Sequence, residues 1–322
     1  MSRVLVTNDW VCRMMAEGLA QSGLDFTWVD AFDEALLADA EVILTSPYTA
    51  VTKETMEKGK KLKGVVSAVI GVESIDEKAA TKLGLVIAHG ATPENFLGMA
   101  EATILLMLAL TLDLHAKEKL LRQHLPRPKT LQAKLLFGQT VGLIGFGRIG
   151  KAVYERLLPF GVHILVFDPH VKAMPEKAQW VDLPTLLQNS DIVSLHVTLS
   201  AETRDMIGEH ELRQMKPTAF LINTARGAVV DEKALYRALK EHWIKGAALD
   251  AFSIEPLPKD NPLRELDNTI LTPHILGHTQ DVMTSLPQAA TENIQRILSG
   301  KPPLYCKNPE VLPSWQERLK TL

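Results

Sequence analysis

Residues 140–144 (TVGLI) run directly into Gly145-Phe146-Gly147-Arg148-Ile149-Gly150, and an amphipathic stretch, KAVYERLL, follows at 151–158. An apolar strand, a turn with glycines spaced GxGxxG and a helix confine this part of the chain to one unit of a parallel sheet. Gly145 permits the tight turn. Gly147 lets a pyrophosphate come close to the backbone, and Gly150 lets the helix pack closely on the strand. The helix start, at Arg148 and Ile149, then offers free amides and a positive dipole end to phosphates. The next strand, HILVFD, ends in Asp168, near the usual spacing of about 20 residues from the glycine turn. A carboxylate there accepts hydrogen bonds from both hydroxyls of an adenosine ribose and repels a 2′-phosphate. Pro169 and His170 follow, not an arginine. The expectation is a dinucleotide fold that takes NAD, with NADP less favoured.

The chain has 322 residues, too many for one compact core at roughly 100–200 residues per domain. Lys and Arg number 35 against 38 Asp and Glu, a net charge of −3. This balance gives no bulk attraction to nucleic acid or to an anionic membrane. Cys12 and Cys306 stand near opposite ends, which is neither a disulfide framework nor a CxxC metal site, so no metal is expected. The start, MSRVLVTNDW, does not read as a signal peptide. The longest apolar run, between Glu101 and Asp113, is shorter than the roughly 20 residues a bilayer requires. A cytoplasmic protein is expected.

Two series of alternating strands and helices follow one another. The first has apolar strands at 4–6, 40–44, 62–69 and 85–87, with a surface helix over 52–63 capped by Thr52. The second begins at Thr140 and continues through HILVFD, SDIVSLHV (190–197), AFLINTA (219–225), KGAALDA (245–251) and NTILTPH (268–274). Helical segments such as 231–242 separate them, which implies parallel pairing with crossover helices. The fold class is α/β: two Rossmann-like or flavodoxin-like parallel-sheet domains with a cleft between them. The run 101–113 is apolar nearly all round, as in a helix buried within a domain or at a subunit interface. Residues 122–134 are polar with two prolines and read as an exposed connection.

Three further signals fall at predicted strand ends, where open α/β sheets bind ligands. They are Asn223–Glu232 (NTARGAVVDE), Asp250–Pro256 (DAFSIEP) and Thr272–Thr279 (TPHILGHT). With them the sequence resembles the D-isomer-specific 2-hydroxyacid dehydrogenases, which include D-lactate, glycerate, glyoxylate/hydroxypyruvate and phosphoglycerate dehydrogenases. The resemblance covers essentially the whole chain. Gly71–Asp76 (GVESID) is similar to the family's substrate loop GVDNID, and Asn95–Glu101 (NFLGMAE) to its NxxxVAE segment. The GxGxxG, ARG, ExP and PHxxG elements occur in the family's order.

A hydride moving between nicotinamide and the C2 carbon of a 2-oxo acid, the reaction the resemblance implies, asks for three helpers. A cation must hold the substrate carboxylate, and the planar fork of Arg226 does so bidentately. An acid–base group must serve the carbonyl oxygen, and His274 supplies the side-chain type suited to that work. A carboxylate must orient that imidazole, and Glu255 can do so. The resemblance implies these same roles. It also implies that Thr224, Ala225 and Asp250 line the nicotinamide end and that Gly277 contacts the cofactor. Val197 and Thr198 would cover the adenine. Ile70 and Gly71 would offer backbone amides to the carboxylate of a small 2-oxo or 2-hydroxy acid, which Arg226 and His274 would also contact. It implies a homodimer through the apolar helix and a substrate domain of residues 1–96 with 297–322. Residues 97–296 would form the cofactor domain.

The chain departs from the family pattern at Glu73-Ser74, Val69-Ile70, Thr198 and His278. These positions bear on which acid is used. Glutamine stands in formate dehydrogenases where this chain has Glu255, which argues against formate. Two other readings share the scaffold: a phosphoglycerate dehydrogenase-type enzyme, and an NAD-sensing binding protein like the family's corepressor relatives.

Overall fold

The computed structural model describes residues 3–130, 132–171 and 175–322. The chain forms two compact units, Met1–Asn95 with His278–Leu322, and Phe96–Gly277. Each is a parallel sheet with helices.

In the first unit the strands are β1 (Val4–Thr7), β2 (Phe26–Val29), β3 (Val42–Thr45), β4 (Gly64–Ser67) and β5 (Val86–Ala88). They lie in the order β2-β1-β3-β4-β5, all parallel. The inner strands are buried on both faces, so they read as continuous apolar runs. Val6, Leu44 and Val66 pack with Met15, Leu19, Leu286, Ile294 and Trp315 on one side. Leu5, Ile43 and Val65 pack with Leu37, Met56 and Leu62 on the other. Trp315 is fully buried and its indole donates to the Lys63 carbonyl at 2.8 Å. Thr52 caps helix Lys53–Lys58 as expected, accepting from the Thr55 amide, but the helix stops at Lys58, before Gly59, instead of running to 63.

The second unit holds β6 (Thr140–Ile144), β7 (His163–Phe167), β8 (Gln179–Trp180), β9 (Ile192–Leu195), β10 (Phe220–Asn223), β11 (Gly246–Leu249) and β12 (Thr269–Leu271). Their order is β12-β11-β10-β9-β6-β7-β8. The chain winds outward from β6 in one direction, then from β9 in the other, so the topological switch lies between β6 and β9. Ligands bind open α/β sheets at such a switch, beyond the carboxyl ends of the strands.

The register aligns those ends. Phe167, Ile144, Leu195, Asn223, Leu249 and Leu271 pair in a row across the sheet. The next residue in each strand therefore stands at one level: Asp168, Gly145, His196, Thr224, Asp250 and Thr272.

The structure departs from the sequence reading in further places. Edge strands β2 and β8 were not read, because neither is a continuous apolar run: three of the four β2 residues are half-buried and both β8 residues are exposed. The apolar helix is longer than 101–113 and spans Pro93–Thr111. By length and composition this 19-residue helix could cross a membrane. It instead packs Ala100, Ile104, Met107 and Leu110 against Val141, Leu143, Val153 and Phe220 of the second unit. Nor is it apolar-buried all round, since Leu105 is 52% exposed. Finally, the second division of the chain falls at 277/278 rather than 296/297. Helix Gln280–Leu298 packs Val282, Leu286, Ala290 and Ile294 into the core of the first unit. The connection 122–134 is exposed, with Leu131 outside the described residues.

Candidate active site

The glycine turn sits on the switch, where β6 meets β9. Gly145 has φ +95°, a conformation that glycine adopts without a Cβ penalty. A Cβ there would lie 2.7 Å from the His196 carbonyl, so the backbone of the β9 end forms the floor of the turn. A Cβ on Gly150 would come within 2.3 Å of the Gly145 oxygen. Gly147 differs, because nothing lies within 4 Å of its missing Cβ. Two glycines therefore serve packing and the third leaves open space.

Gly147 is also the N-cap of helix Arg148–Leu157 and supplies no capping side chain. The first amides of that helix remain available to an anion. Arg148 is exposed, whereas Ile149 turns its side chain into the core and can offer only its backbone. Asp168 is pinned at the end of β7. One oxygen accepts from the Phe146 amide at 2.7 Å, the other from the His170 amide at 2.8 Å. Open space, uncapped amides and an oriented carboxylate within one turn fit a dinucleotide.

His196 closes the turn from below. Neither ring nitrogen meets a hydrogen-bonding partner among the described residues. Burial pushes its pKa down to about 4, so it is neutral at physiological pH. Val197 and Thr198 follow it along the loop beyond β9; Thr198 is exposed and its carbonyl accepts from Thr203.

The second cluster stands beyond the adjacent strands β10, β11 and β12. His274 Nδ1 lies 2.8 Å from both carboxylate oxygens of Glu255. Glu255 Oε1 also accepts from the Phe252 amide at 2.9 Å. Burial alone would raise the Glu255 pKa. The bonds from His274 and Phe252, and the charges of His274 and Arg226, outweigh it and hold the carboxyl below its usual range. Glu255 is therefore an anion at neutral pH, facing one imidazole nitrogen and leaving Nε2 to act elsewhere. Arg226 belongs to the same electrostatic group. Its Nη1 donates to the Ala225 carbonyl at 2.8 Å.

His274 has φ +56°, a left-handed backbone that costs a non-glycine residue on the order of 1 kcal/mol. Asp250 holds it there. This buried carboxylate accepts from the Thr272 hydroxyl at 2.7 Å and from the Leu276 amide at 3.3 Å, two residues to either side of His274. The sequence reading gave Asp250 a cofactor contact; the structure adds this clasp.

Two further positions went unread. Asn223 bonds the Ala225 amide through Oδ1 and the Arg226 carbonyl through Nδ2, shaping the turn that carries Arg226. Gly227 lets that turn approach Phe252, where a Cβ would meet backbone at 1.8 Å. Both signals lay in the motif: an Asn at a strand end and a Gly directly after the arginine. Thr224 is buried, with its hydroxyl 3.2 Å from that of Thr103. Gly277 is buried against Met99.

Ile70 and Gly71 lie in the first unit, in the loop beyond β4. The Ser67 hydroxyl donates to the Gly71 carbonyl at 2.6 Å, and the Gly90 amide to the Val69 carbonyl at 2.9 Å.

A doubly wound sheet with this glycine turn and carboxylate defines a dinucleotide-binding enzyme class, and the comparisons with known proteins narrow it. A family model described as D-isomer specific 2-hydroxyacid dehydrogenase, NAD binding domain, matches residues 104–275. A glyoxylate reductase of Thermofilum pendens is 40% identical over 88% of this chain and 87% of its own length. A D-3-phosphoglycerate dehydrogenase of Methanocaldococcus jannaschii is 38% identical over 82% of this chain and 51% of that protein. Among solved structures, the PH0520 protein of Pyrococcus horikoshii matches with a TM-score of 0.86, at 29% identity over 99% of each chain. A D-lactate dehydrogenase of Aquifex aeolicus, complexed with NAD and lactic acid, matches with a TM-score of 0.80, at 30% identity over 92% of this chain and 96% of that one. The chain belongs to the D-isomer-specific 2-hydroxyacid dehydrogenase family. It is an oxidoreductase acting on the CH–OH group of its donors.

Proposed function

We propose that this protein reduces a small 2-oxo acid to the D-2-hydroxy acid with NADH, reversibly. The observation that carries the reading is the His274–Glu255 contact, 2.8 Å to each oxygen, at the carboxyl edge of the sheet that bears the glycine turn. A bound nicotinamide dinucleotide supplies the hydride. Arg226 holds the substrate carboxylate through its guanidinium fork. His274 gives a proton from Nε2 to the oxygen that was the carbonyl, and takes it back in the oxidation. Glu255 keeps the ring oriented and stabilises its positive charge. The amides of Arg148, Ile149 and Gly150 receive the pyrophosphate, Asp168 the adenosine ribose, and Val197 and Thr198 the adenine. Thr224, Ala225, Asp250 and Gly277 face the nicotinamide. NAD is favoured over NADP because Asp168 would repel a 2′-phosphate.

We further propose that the protein is a cytoplasmic homodimer. Leu105, Leu114 and Leu121 are exposed apolar side chains on two consecutive helices, with Leu112 exposed in the turn between them and Leu121 82% exposed. A second copy of the chain would cover them, and light scattering reads the mass directly.

The test of the function is a panel of glyoxylate, hydroxypyruvate, pyruvate and 3-phosphohydroxypyruvate with NADH and with NADPH, followed by loss of the reduced-nicotinamide absorbance. The reading expects turnover of an unphosphorylated 2-oxo acid with NADH. Preference for the phosphorylated acid would favour the phosphoglycerate dehydrogenase-type alternative. No turnover with any acid would overturn the reading.

A further inference from the structure

The loop after β4 carries three consecutive carbonyls that are all held from inside the first unit. Val69 O accepts from the Gly90 amide at 2.9 Å. Ile70 O lies 3.0 Å from His89 Nδ1. Gly71 O accepts from the Ser67 hydroxyl at 2.6 Å. A carbonyl oxygen only accepts, so His89 carries its proton on Nδ1 in this contact.

The peptide unit is planar and trans, so each carbonyl points opposite to the N–H of the following residue. Holding these three carbonyls therefore turns the amides of Ile70, Gly71 and Val72 away from the donors. None of these three amides donates to an acceptor among the described residues. Gly71 is nevertheless buried, and a buried amide without an acceptor is rare. Successive free amides of this kind form a concavity for an anion.

Two of the three restraints are ordinary: a backbone amide and a serine at the end of its own strand. The third is a histidine brought from β5. His89 is buried, and its own amide is tied to the Tyr305 carbonyl at 3.1 Å. Ala88 beside it pairs with Cys306. The imidazole is thus anchored from behind and aimed at the peptide whose N–H belongs to Gly71.

We propose that His89 is a positioning residue: its Nδ1–H fixes the Ile70–Gly71 peptide, whose amide the family resemblance already assigns to the carboxylate of an oxo acid, and so sets how well that amide receives it. The proposal rests on the 2-oxo acid reading for the identity of its ligand. His89 acts through that peptide, on affinity, and leaves the chemical step to other groups. A neutral donor of the same reach should replace it. Asn places Nδ2 where His places Nδ1; Ala removes the donor.

The test reads the cradle without turnover. The Gly71 amide resonance of the 15N-labelled full chain is titrated with oxalate, for wild type, His89→Asn, His89→Ala and Ser67→Ala. Wild type should show a saturable shift. His89→Ala should bind oxalate about tenfold more weakly and His89→Asn within about threefold of wild type, the scale of one hydrogen bond. KM for glyoxylate with saturating NADH should follow the same order, with kcat changed less than about twofold. Ser67→Ala, which removes a second restraint from the same loop, should weaken oxalate without touching the histidine. A wild-type Gly71 amide indifferent to oxalate would overturn the proposal. So would His89→Ala binding as tightly as wild type, or His89→Asn weakened as much as His89→Ala. Failure of the enzyme reading looks different: no 2-oxo acid is reduced, while the Gly71 amide still answers oxalate and depends on His89.

Discussion

Gly227 and Phe252 touch through their backbones: a Cβ on Gly227 would lie 1.8 Å from the Phe252 carbonyl carbon. This contact joins the turn carrying Arg226 to the turn carrying Glu255, because the Phe252 amide donates to Glu255. A methyl group at 227 cannot be accommodated by a side-chain rotation, since the obstacle is main chain. Gly227→Ala should therefore cost about 3 kcal/mol or more of stability, the upper range for overpacking. It should also abolish most turnover in the fraction that still folds. Urea unfolding and glyoxylate turnover at saturating NADH check both; a variant equal to wild type in each would show that the two turns are not coupled.

Glu255 is ionised at neutral pH and spans His274 Nδ1 with both oxygens. Glu255→Gln keeps the shape and removes the charge. We expect kcat to fall at least about 10²-fold, the usual scale of acid–base catalysis. NADH binding, read by nicotinamide fluorescence, should be little changed, because the glycine turn and Asp168 are untouched. A kcat within a factor of about two of wild type would remove Glu255 from the mechanism.

Much of this was legible in the sequence, for identifiable reasons. Interior parallel strands are buried on both faces, so TVGLI, DIVSL and AFLIN stand out as apolar runs. The glycine turn is legible because the close approaches at Gly145 and Gly150 exclude any side chain. Two of the four edge strands are not, since FTWV in β2 is largely half-buried and QW in β8 exposed. The helix start was missed although Thr92-Pro93-Glu94 marks it: Thr92 accepts from the Asn95 amide, and proline suits the first turn. The assignment of Gln280–Leu298 to the first unit could not be read, because an amphipathic helix announces an apolar face but not the sheet it meets. The Asp250 clasp and the Gly227 approach are relations between segments 22 or more residues apart, which only the register brings level.

His196 makes the fold sensitive to acid. Its folded pKa, about 4, lies below the ordinary value of 6.5. Between those values the unfolded chain binds a proton that the folded one refuses, so stability falls as pH falls through this window. The loss reaches up to about 3 kcal/mol by pH 4. In His196→Leu this component should vanish, leaving the shallower slope of the carboxylates. Urea unfolding of both proteins at pH 7 and pH 4.5 measures the difference. Parallel pH dependence in the two would contradict the sealed, neutral imidazole.

We expect Arg226 to hold a 2-oxo acid carboxylate beside the His274–Glu255 pair. Single-turnover oxidation of enzyme-bound NADH by glyoxylate, in wild type and Arg226→Ala, tests it most directly. We predict that wild type oxidises the bound NADH and that the variant, with NADH affinity retained, reacts about 10²- to 10³-fold more slowly at subsaturating acid, the cost of losing a desolvated charge pair. A variant that reacts as fast as wild type would show that Arg226 does not hold the carboxylate.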